Sequence, residues 1–250
     1  MKVLVIPDVH LKPQIFEWAS NLMRKKIADR PVCLMDIADD WNQQFNIDLY
    51  NKTYDVAIAF AKEFPDTLWC YGNHDLCYLW DRRESGFSLL AQWTVCEKLR
   101  LLREAMPDDR QLAYLHKIDT VIFSHGGLAD AFVRNRVPAK LYDDSDAVLN
   151  TINGFGPDEM WQDLSPIWFR PQYHERKLYK SEKYLQVVGH TPIKQIEKNG
   201  NLISCDVFST YRNGSPIGTQ EFLLIDTITW EYLEIKKEKN NINEIFHRNN

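Results

Sequence analysis

Apolar positions in the first half of this chain fall into short unbroken runs, separated by longer stretches with helical spacing. Lys2–Ile6 is one such run, and its lack of alternation predicts a strand covered on both faces. Pro13 opens a helical stretch in which Ile15, Trp18, Ala19, Leu22, Met23 and Ile27 share one face. A second apolar run, residues 32–35, ends at Asp36. Residues 47–64 carry another helical stripe through Tyr50, Tyr54, Ala57, Ile58, Ala61 and Phe64. A third run, residues 67–71, stops at Gly72-Asn73-His74-Asp75, and a helix is expected over residues 88–102. Residues 120–123 form a fourth run that enters Ser124-His125-Gly126-Gly127, and residues 186–188 lead into Gly189-His190.

Beyond His190 the segments shorten. Asn199-Gly200 between residues 195–198 and 202–205 predicts a hairpin, and Asn213-Gly214 precedes a strand at 219–225. Residues 230–235 read as a last strand, and the Lys- and Asn-rich tail over 236–250 is expected to fray. Strand–helix alternation followed by antiparallel β predicts an α/β sandwich with helices outside two packed sheets. No linker divides the chain, so one domain over residues 1–235 followed by the polar tail is expected.

Composition narrows the possibilities. With 44% hydrophobic and 12% aromatic residues, the 250-residue chain can bury a sizeable core, so disorder is not expected. The net charge of −5 argues against a nucleic-acid partner. No apolar run approaches the roughly 18 residues of a membrane span. The apolar start is too short for an export signal and is interrupted by Asp8, and the five cysteines form no CxxC pair. Reduced thiols and a cytoplasmic location are therefore expected.

Candidate chemistry lies where the apolar runs stop, because five of them end in Asp, His or Asn. In open α/β sheets the carboxyl ends of strands form the ligand crevice, and oxygen and imidazole groups gathered there suit a divalent transition metal. Each cluster alone has an ordinary reading. Asp8-Val9-His10 fits a turn, and Asp36 with Asp39 and Asp40 fits a helix N-cap region. Together, in this order, the clusters resemble the calcineurin-like metallophosphoesterases, whose pattern runs DxH, GDxxD, GNH with Asp or Glu, a strand-end His, and GH. The spellings His125-Gly126-Gly127-Leu128 and Gly189-His190-Thr191-Pro192 are similar to the serine/threonine protein phosphatase branch and its small bacterial and phage relatives.

The resemblance implies a four-layer αββα sandwich of two mixed sheets flanked by helices, holding two divalent metal ions. Asp8 and His10 would hold the first metal, Asn73, His125 and His190 the second, and Asp36 would bridge them. Manganese is expected, with iron or zinc as alternatives. A hydroxide between the metals would attack a phosphomonoester, His74 would protonate the leaving group, and Asp39 would orient His74. The substrate would be a phosphoprotein or a nucleotide. Alternatives are a dinucleoside polyphosphate hydrolase, a phosphodiesterase or nuclease, and a metal-binding scaffold without catalysis. Against a nuclease, Pro192 stands where such enzymes commonly carry a second His.

Two positions depart from the family pattern. Met35 replaces the Gly before the bridging Asp, and Asp40 replaces the phosphate-binding Arg of the protein phosphatases. Arg170, in a Trp-x-Arg segment, is the expected replacement, since a guanidinium fork grips a phosphoryl group bidentately. Arg82 and Arg83 read as solvated surface, and the basic positions Arg176, Lys177, Lys180 and Lys183 as a solvated helix face. Trp161 and Trp168 read as core. His116, His174 and His247 have no partner spacing and no assigned role.

Overall fold

A computed structural model describes residues 1–173 and 177–236. Its strands are β1 (Lys2–Ile6), β2 (Arg30–Cys33), β3 (Leu68–Cys70), β4 (Leu112–Ala113), β5 (Leu115–Ile118), β6 (Val121–Ser124), β7 (Leu185–Val188), β8 (Glu197–Asn199), β9 (Leu202–Ser204), β10 (Glu221–Asp226) and β11 (Tyr232–Lys236). The helices are α1 (Gln14–Arg24), α2 (Ile47–Glu63), α3 (Asn73–Leu79), α4 (Gln92–Glu104), α5 (Asp130–Arg136), α6 (Ser145–Asn153) and α7 (Pro157–Met160).

The strands make two mixed sheets, a six-stranded one ordered β11-β10-β1-β2-β3-β4 and a five-stranded one ordered β5-β6-β7-β9-β8. Strands β1 to β4 are mutually parallel, as are β6, β7 and β9, and antiparallel strands close the remaining edges. This is the α/β architecture expected. Parallel order sends the carboxyl ends of β1, β2 and β3 to one end of the first sheet, and those of β6, β7 and β9 to one end of the second. The sheets meet through side chains such as His125, at the end of β6, whose Nδ1 lies 2.9 Å from the Leu34 carbonyl at the end of β2.

Solid apolar runs became buried strands: residues 3 to 6 of β1 and all of β6 and β7 are inaccessible to solvent or nearly so. Helical spacing likewise became buried faces, with Ile15, Phe16, Ala19, Leu22 and Met23 inward on α1 and Tyr50, Tyr54, Ala57, Phe60 and Ala61 inward on α2. Asn46 caps α2 by accepting a hydrogen bond from the Leu49 amide. The expected hairpin at Asn199-Gly200 forms between β8 and β9.

Several boundaries differ from expectation. The helix expected over 88–102 runs Gln92–Glu104, because residues 88–91 form a turn in which Ser88 Oγ accepts from the Ala91 amide. The segment containing Lys177, Lys180 and Lys183 is not a helix among the described residues. It is a series of turns in which Lys180 pairs with Asp143 at 3.0 Å. Arg176, His174, His247 and the tail beyond Lys236 lie outside the described residues. His116 is a satisfied core histidine whose Nε2 lies 3.1 Å from the Trp69 carbonyl.

The ring of Phe60 joins α2 to the first sheet, with centroids 5.6 Å from Phe16, 4.8 Å from Phe64 and 6.3 Å from Trp69. Truncating a buried ring removes its transfer energy and leaves a cavity that rigid neighbours cannot fill. Phe60→Ala is expected to lower the unfolding free energy by about 3–5 kcal/mol in a denaturant titration. A loss below about 1 kcal/mol would show that the site is not packed as described.

Candidate metal centre

Short loops and the first turn of α3 place the candidate metal ligands and His74 at neighbouring strand ends. The loop after β1 carries Asp8 and His10, and the loop after β2 carries Asp36. These loops are tied together, with the Val9 amide donating to the Met35 carbonyl at 3.0 Å and the His10 amide to the Asp36 carbonyl at 2.7 Å. Both turn through the left-handed region at His10 (φ 43°), Met35 (φ 57°) and Asp36 (φ 39°). Such backbone is unfavourable for residues with a Cβ, which gives a physical reason for glycine at the Met35 position in related chains.

Two donor clusters result. In the first, one ligand atom each from Asp8, His10 and Asp36 lies within 4.8 Å of the others; in the second, the same holds for Asp36, His125 and His190. Around His125 Nε2 stand Asp36 Oδ2 at 3.2 Å, Asn73 Oδ1 at 3.1 Å and His190 Nδ1 at 3.0 Å. The ring orientations suit ligation. His125 Nδ1 faces the Leu34 carbonyl and His10 Nδ1 faces the Asp39 carbonyl at 2.9 Å, so each Nε2 is left to point at Asp36. All six residues singled out as ligands are thus brought together, and Asp36 belongs to both clusters.

The protein groups alone do not satisfy this arrangement. Asp8 Oδ1 and His190 Nε2 are buried without a hydrogen-bond partner. Burial, reinforced by Asp206 and Asp36, pushes the Asp8 carboxyl well above its usual range. Burial drives the His190 imidazole well below its usual value, with the His125 charge adding to the effect. For Asp36 burial acts upward, but the surrounding His125, His74 and His10 outweigh it and pull the carboxyl down. Buried anions and imidazole lone pairs facing one space are what bound cations would compensate, so the donor set fits two divalent metals.

Glycines make the approach possible. A Cβ at Gly72 would lie 1.9 Å from Asp36 Oδ1, and one at Gly189 would lie 2.0 Å from Asp8 Oδ1. Gly72 also opens α3, whose His74 amide donates to Asp36 Oδ1 at 2.9 Å. This short helix was not expected from the sequence. Its first residue is Asn73, and Asp75 turns inward to accept from the Ile37 amide at 3.1 Å and the Tyr54 hydroxyl at 2.8 Å, fixing the loop beyond Asp36.

His74 and Asp39 form the expected pair, with Nδ1 and Oδ2 3.0 Å apart. Burial disfavours the His74 cation, but Asp36 and Asp39 override it and hold the imidazole up at about 9. Asp39 is itself gripped: Oδ1 accepts from Tyr50 at 2.7 Å and from Tyr78 at 2.5 Å. Burial and the Asp39 charge push both phenols up, so each remains a donor. Neither tyrosine was given a role from the sequence, where Tyr50 reads as a helix-face position and Tyr78 falls in a stretch with no expected element.

Arg170, far along the chain from the other groups, reaches the same cavity, its Nη1 donating to the His190 carbonyl at 2.6 Å and to Thr191 Oγ1 at 3.1 Å. Arg82 lies on the surface, paired with Asp158 at 3.6 Å, and Arg83 is exposed. Trp168 meets His190 edge-on at 5.6 Å and Trp161 meets Trp168 at 5.1 Å, so this aromatic pair packs behind a site residue. Asp40 does not present a free charge, because Lys12 pairs with it at 2.9 Å.

Asp206 is the acidic group that sequence reasoning missed. It is 1% exposed, is attracted by His10 and crowds Asp8. Its described hydrogen bonds come from the Ser209 amide at 3.3 Å and hydroxyl at 2.9 Å. The signal was available, since the run at 202–205 stops at a carboxylate as the runs before Asp8 and Asp36 do.

Comparison with known proteins bears on the family and the fold. The model of the calcineurin-like phosphoesterase family matches residues 1–221. No curated protein matches the sequence significantly. Among solved structures, a cold-active protein-tyrosine phosphatase of a psychrophile, Shewanella sp., is similar with a TM-score of 0.56 and 15% identity, over 94% of this chain and 80% of that one. Another structure of a cold-active protein tyrosine phosphatase has a TM-score of 0.51 and 17% identity, over 93% and 78%. At these identities the likeness is one of fold. The family match spans most of the chain and covers every cluster described above, and the chain belongs to the calcineurin-like phosphoesterase family.

Proposed function

We propose that this protein is a two-metal phosphomonoesterase and that residues 1–235 form its catalytic domain. The observation that carries the reading is the shared position of Asp36 between two donor clusters. Asp8, His10 and Asp36 would hold one cation, and Asp36, Asn73, His125 and His190 the other. Mixed carboxylate, amide and imidazole donors suit manganese, with iron or zinc as substitutes. Bound there, two divalent cations supply the positive charge that polarises water and clamps phosphoryl oxygens.

The remaining steps fall to this chain's own groups. Arg170, anchored by the His190 carbonyl and Thr191, faces the cavity and binds the phosphoryl group. His74 lines the same cavity and donates its proton to the departing alkoxide. Asp39 fixes the donor tautomer, and Tyr50 and Tyr78 keep Asp39 in place. A phosphorylated protein or a nucleotide is the class of substrate this requires. A metal-binding scaffold would need no such acid. Its one support, Asp40 in place of Arg, loses force because Lys12 neutralises Asp40. The cysteines are unpaired and four of the five are buried, which supports a reducing, cytoplasmic setting. No helix among the described residues is long and apolar enough to cross a membrane.

Two experiments test the roles. His74 must carry its proton to act as an acid, and its raised value keeps the proton on at neutral pH and releases it as pH climbs. Turnover of an aryl phosphate with manganese is therefore expected to fall as pH rises through about 9. Cations facing the ring would move that limb to lower pH. His74→Asn should retain manganese binding, lose roughly 10²–10⁴-fold in turnover and lose the alkaline limb. Normal turnover in this variant would remove His74 from the mechanism. Asp206→Asn should weaken manganese binding about 10–100-fold in a calorimetric titration, through loss of a buried negative charge beside Asp8 and His10. Unchanged affinity would make Asp206 a purely structural anchor of Ser209.

A further inference from the structure

The cavity over the metal centre, about 210 Å³, has an aromatic wall that the mechanism above does not use. Trp41 lines it together with His74 and Arg170, and also lines a second cavity beyond it with Tyr211 and Arg212. Trp41 is 40% exposed, large for an indole placed beside a reaction centre. Its position is built. Trp41 Nε1 donates to the Thr210 carbonyl at 2.9 Å, Asn42 Nδ2 donates to the Arg212 carbonyl at 3.0 Å, and Thr210 Oγ1 donates to Asp40 Oδ1 at 3.0 Å. Asp40 is held from below by Lys12. The acidic residue at the position of the family's arginine therefore anchors a ledge rather than touching phosphate.

Arg212 lies over the Trp41 ring with its guanidinium carbon 5.1 Å from the centroid, and among the described residues it makes no ion pair with a carboxylate. An exposed cation stacked on an exposed indole, next to a phosphoryl site, is complementary to an aromatic ring that carries an anion nearby. We propose that this ledge is the leaving-group subsite and that it selects phosphotyrosyl peptides with an acidic residue beside the phosphotyrosine. The inference rests on the phosphomonoesterase reading. A phosphotyrosine ring is bonded directly to the ester oxygen, so it lies in the same cavity as the phosphoryl group, where Trp41 stands. A phosphoserine offers no ring, and a 5′-nucleotide interposes its ribose before the base. The acidic neighbour would meet Arg212.

The test uses the full chain with manganese and three substrates: an acidic phosphotyrosyl peptide, the same peptide with phosphoserine, and 5′-adenylate. Binding of the phosphotyrosyl sequence carrying a non-hydrolysable phosphonate is measured alongside by calorimetry. The expected result is the highest kcat/KM on phosphotyrosine. Trp41→Ala should lower the phosphotyrosine-to-phosphoserine ratio of kcat/KM about tenfold, and Trp41→Ala and Arg212→Ala should each weaken binding of the acidic phosphonate peptide by a similar factor. Both side chains are exposed, and a circular dichroism melt checks that the variants fold. Equal losses on both peptides in Trp41→Ala, a preference for adenylate, or phosphonate binding indifferent to Trp41→Ala or to Arg212→Ala would overturn the subsite. If the wild type hydrolyses nothing yet binds the phosphonate through Trp41, the catalytic reading fails and the subsite stands. If it neither hydrolyses nor binds, both fail.

Discussion

The site is organised by one buried carboxylate. Asp36 is 2% exposed and is surrounded by His10, His74 and His125, with the His74 amide as a further donor. Its two oxygens divide the work. Oδ1 takes the amide at the start of α3, and Oδ2 faces the imidazoles of both clusters. A charge buried this deeply must be compensated, and imidazoles alone do so only if they are protonated. The Leu34 and Asp39 carbonyls face the Nδ1 atoms, so Nε2 of His125 and of His10 faces Asp36. Although burial disfavours the His125 cation, Asp36 and Asp8 hold that imidazole up at about 9. That compensation is what a pair of cations would take over, and the orphaned Asp8 Oδ1 and His190 Nε2 face the same need.

Close approach explains the local backbone. Groups from separate strand ends converge only if the turns between them are tight. The price is left-handed backbone at His10, Leu11, Met35, Asp36, Asp39 and His190, six residues other than glycine. Cross-loop hydrogen bonds from Val9, His10 and Leu11 to the Met35–Ile37 backbone over-determine the turns and keep the strain in place. Gly72 and Gly189 matter for a different reason: neither has positive φ, but each leaves the volume that an Asp oxygen occupies.

Much of this was legible in the chain because short solid apolar runs bounded by polar clusters fit buried strands, and polar residues at their ends gather where parallel strands stop. The six expected ligand positions, the His74–Asp39 pair and Arg170 all follow from that logic together with the family pattern. What escaped was what pattern cannot carry. The short helix α3 hides inside a motif that reads as a loop, since seven residues give no periodicity. Tyr50 looks like an ordinary helix-face aromatic, Tyr78 belongs to that unexpected helix, and only the fold shows both hydroxyls on Asp39. Asp206 follows a run that alternates less clearly with its surroundings, in a region read for hairpins. Asp40 appeared to reverse the local charge because its partner, Lys12, is 28 positions away.

The most direct measurement is an anomalous diffraction map from crystals grown with manganese. Two peaks are predicted per chain, one against Asp8 and His10 and one against Asn73, His125 and His190, both in contact with the Asp36 carboxylate. A single peak, or peaks that leave Asp36 untouched, would contradict a centre organised around that carboxylate.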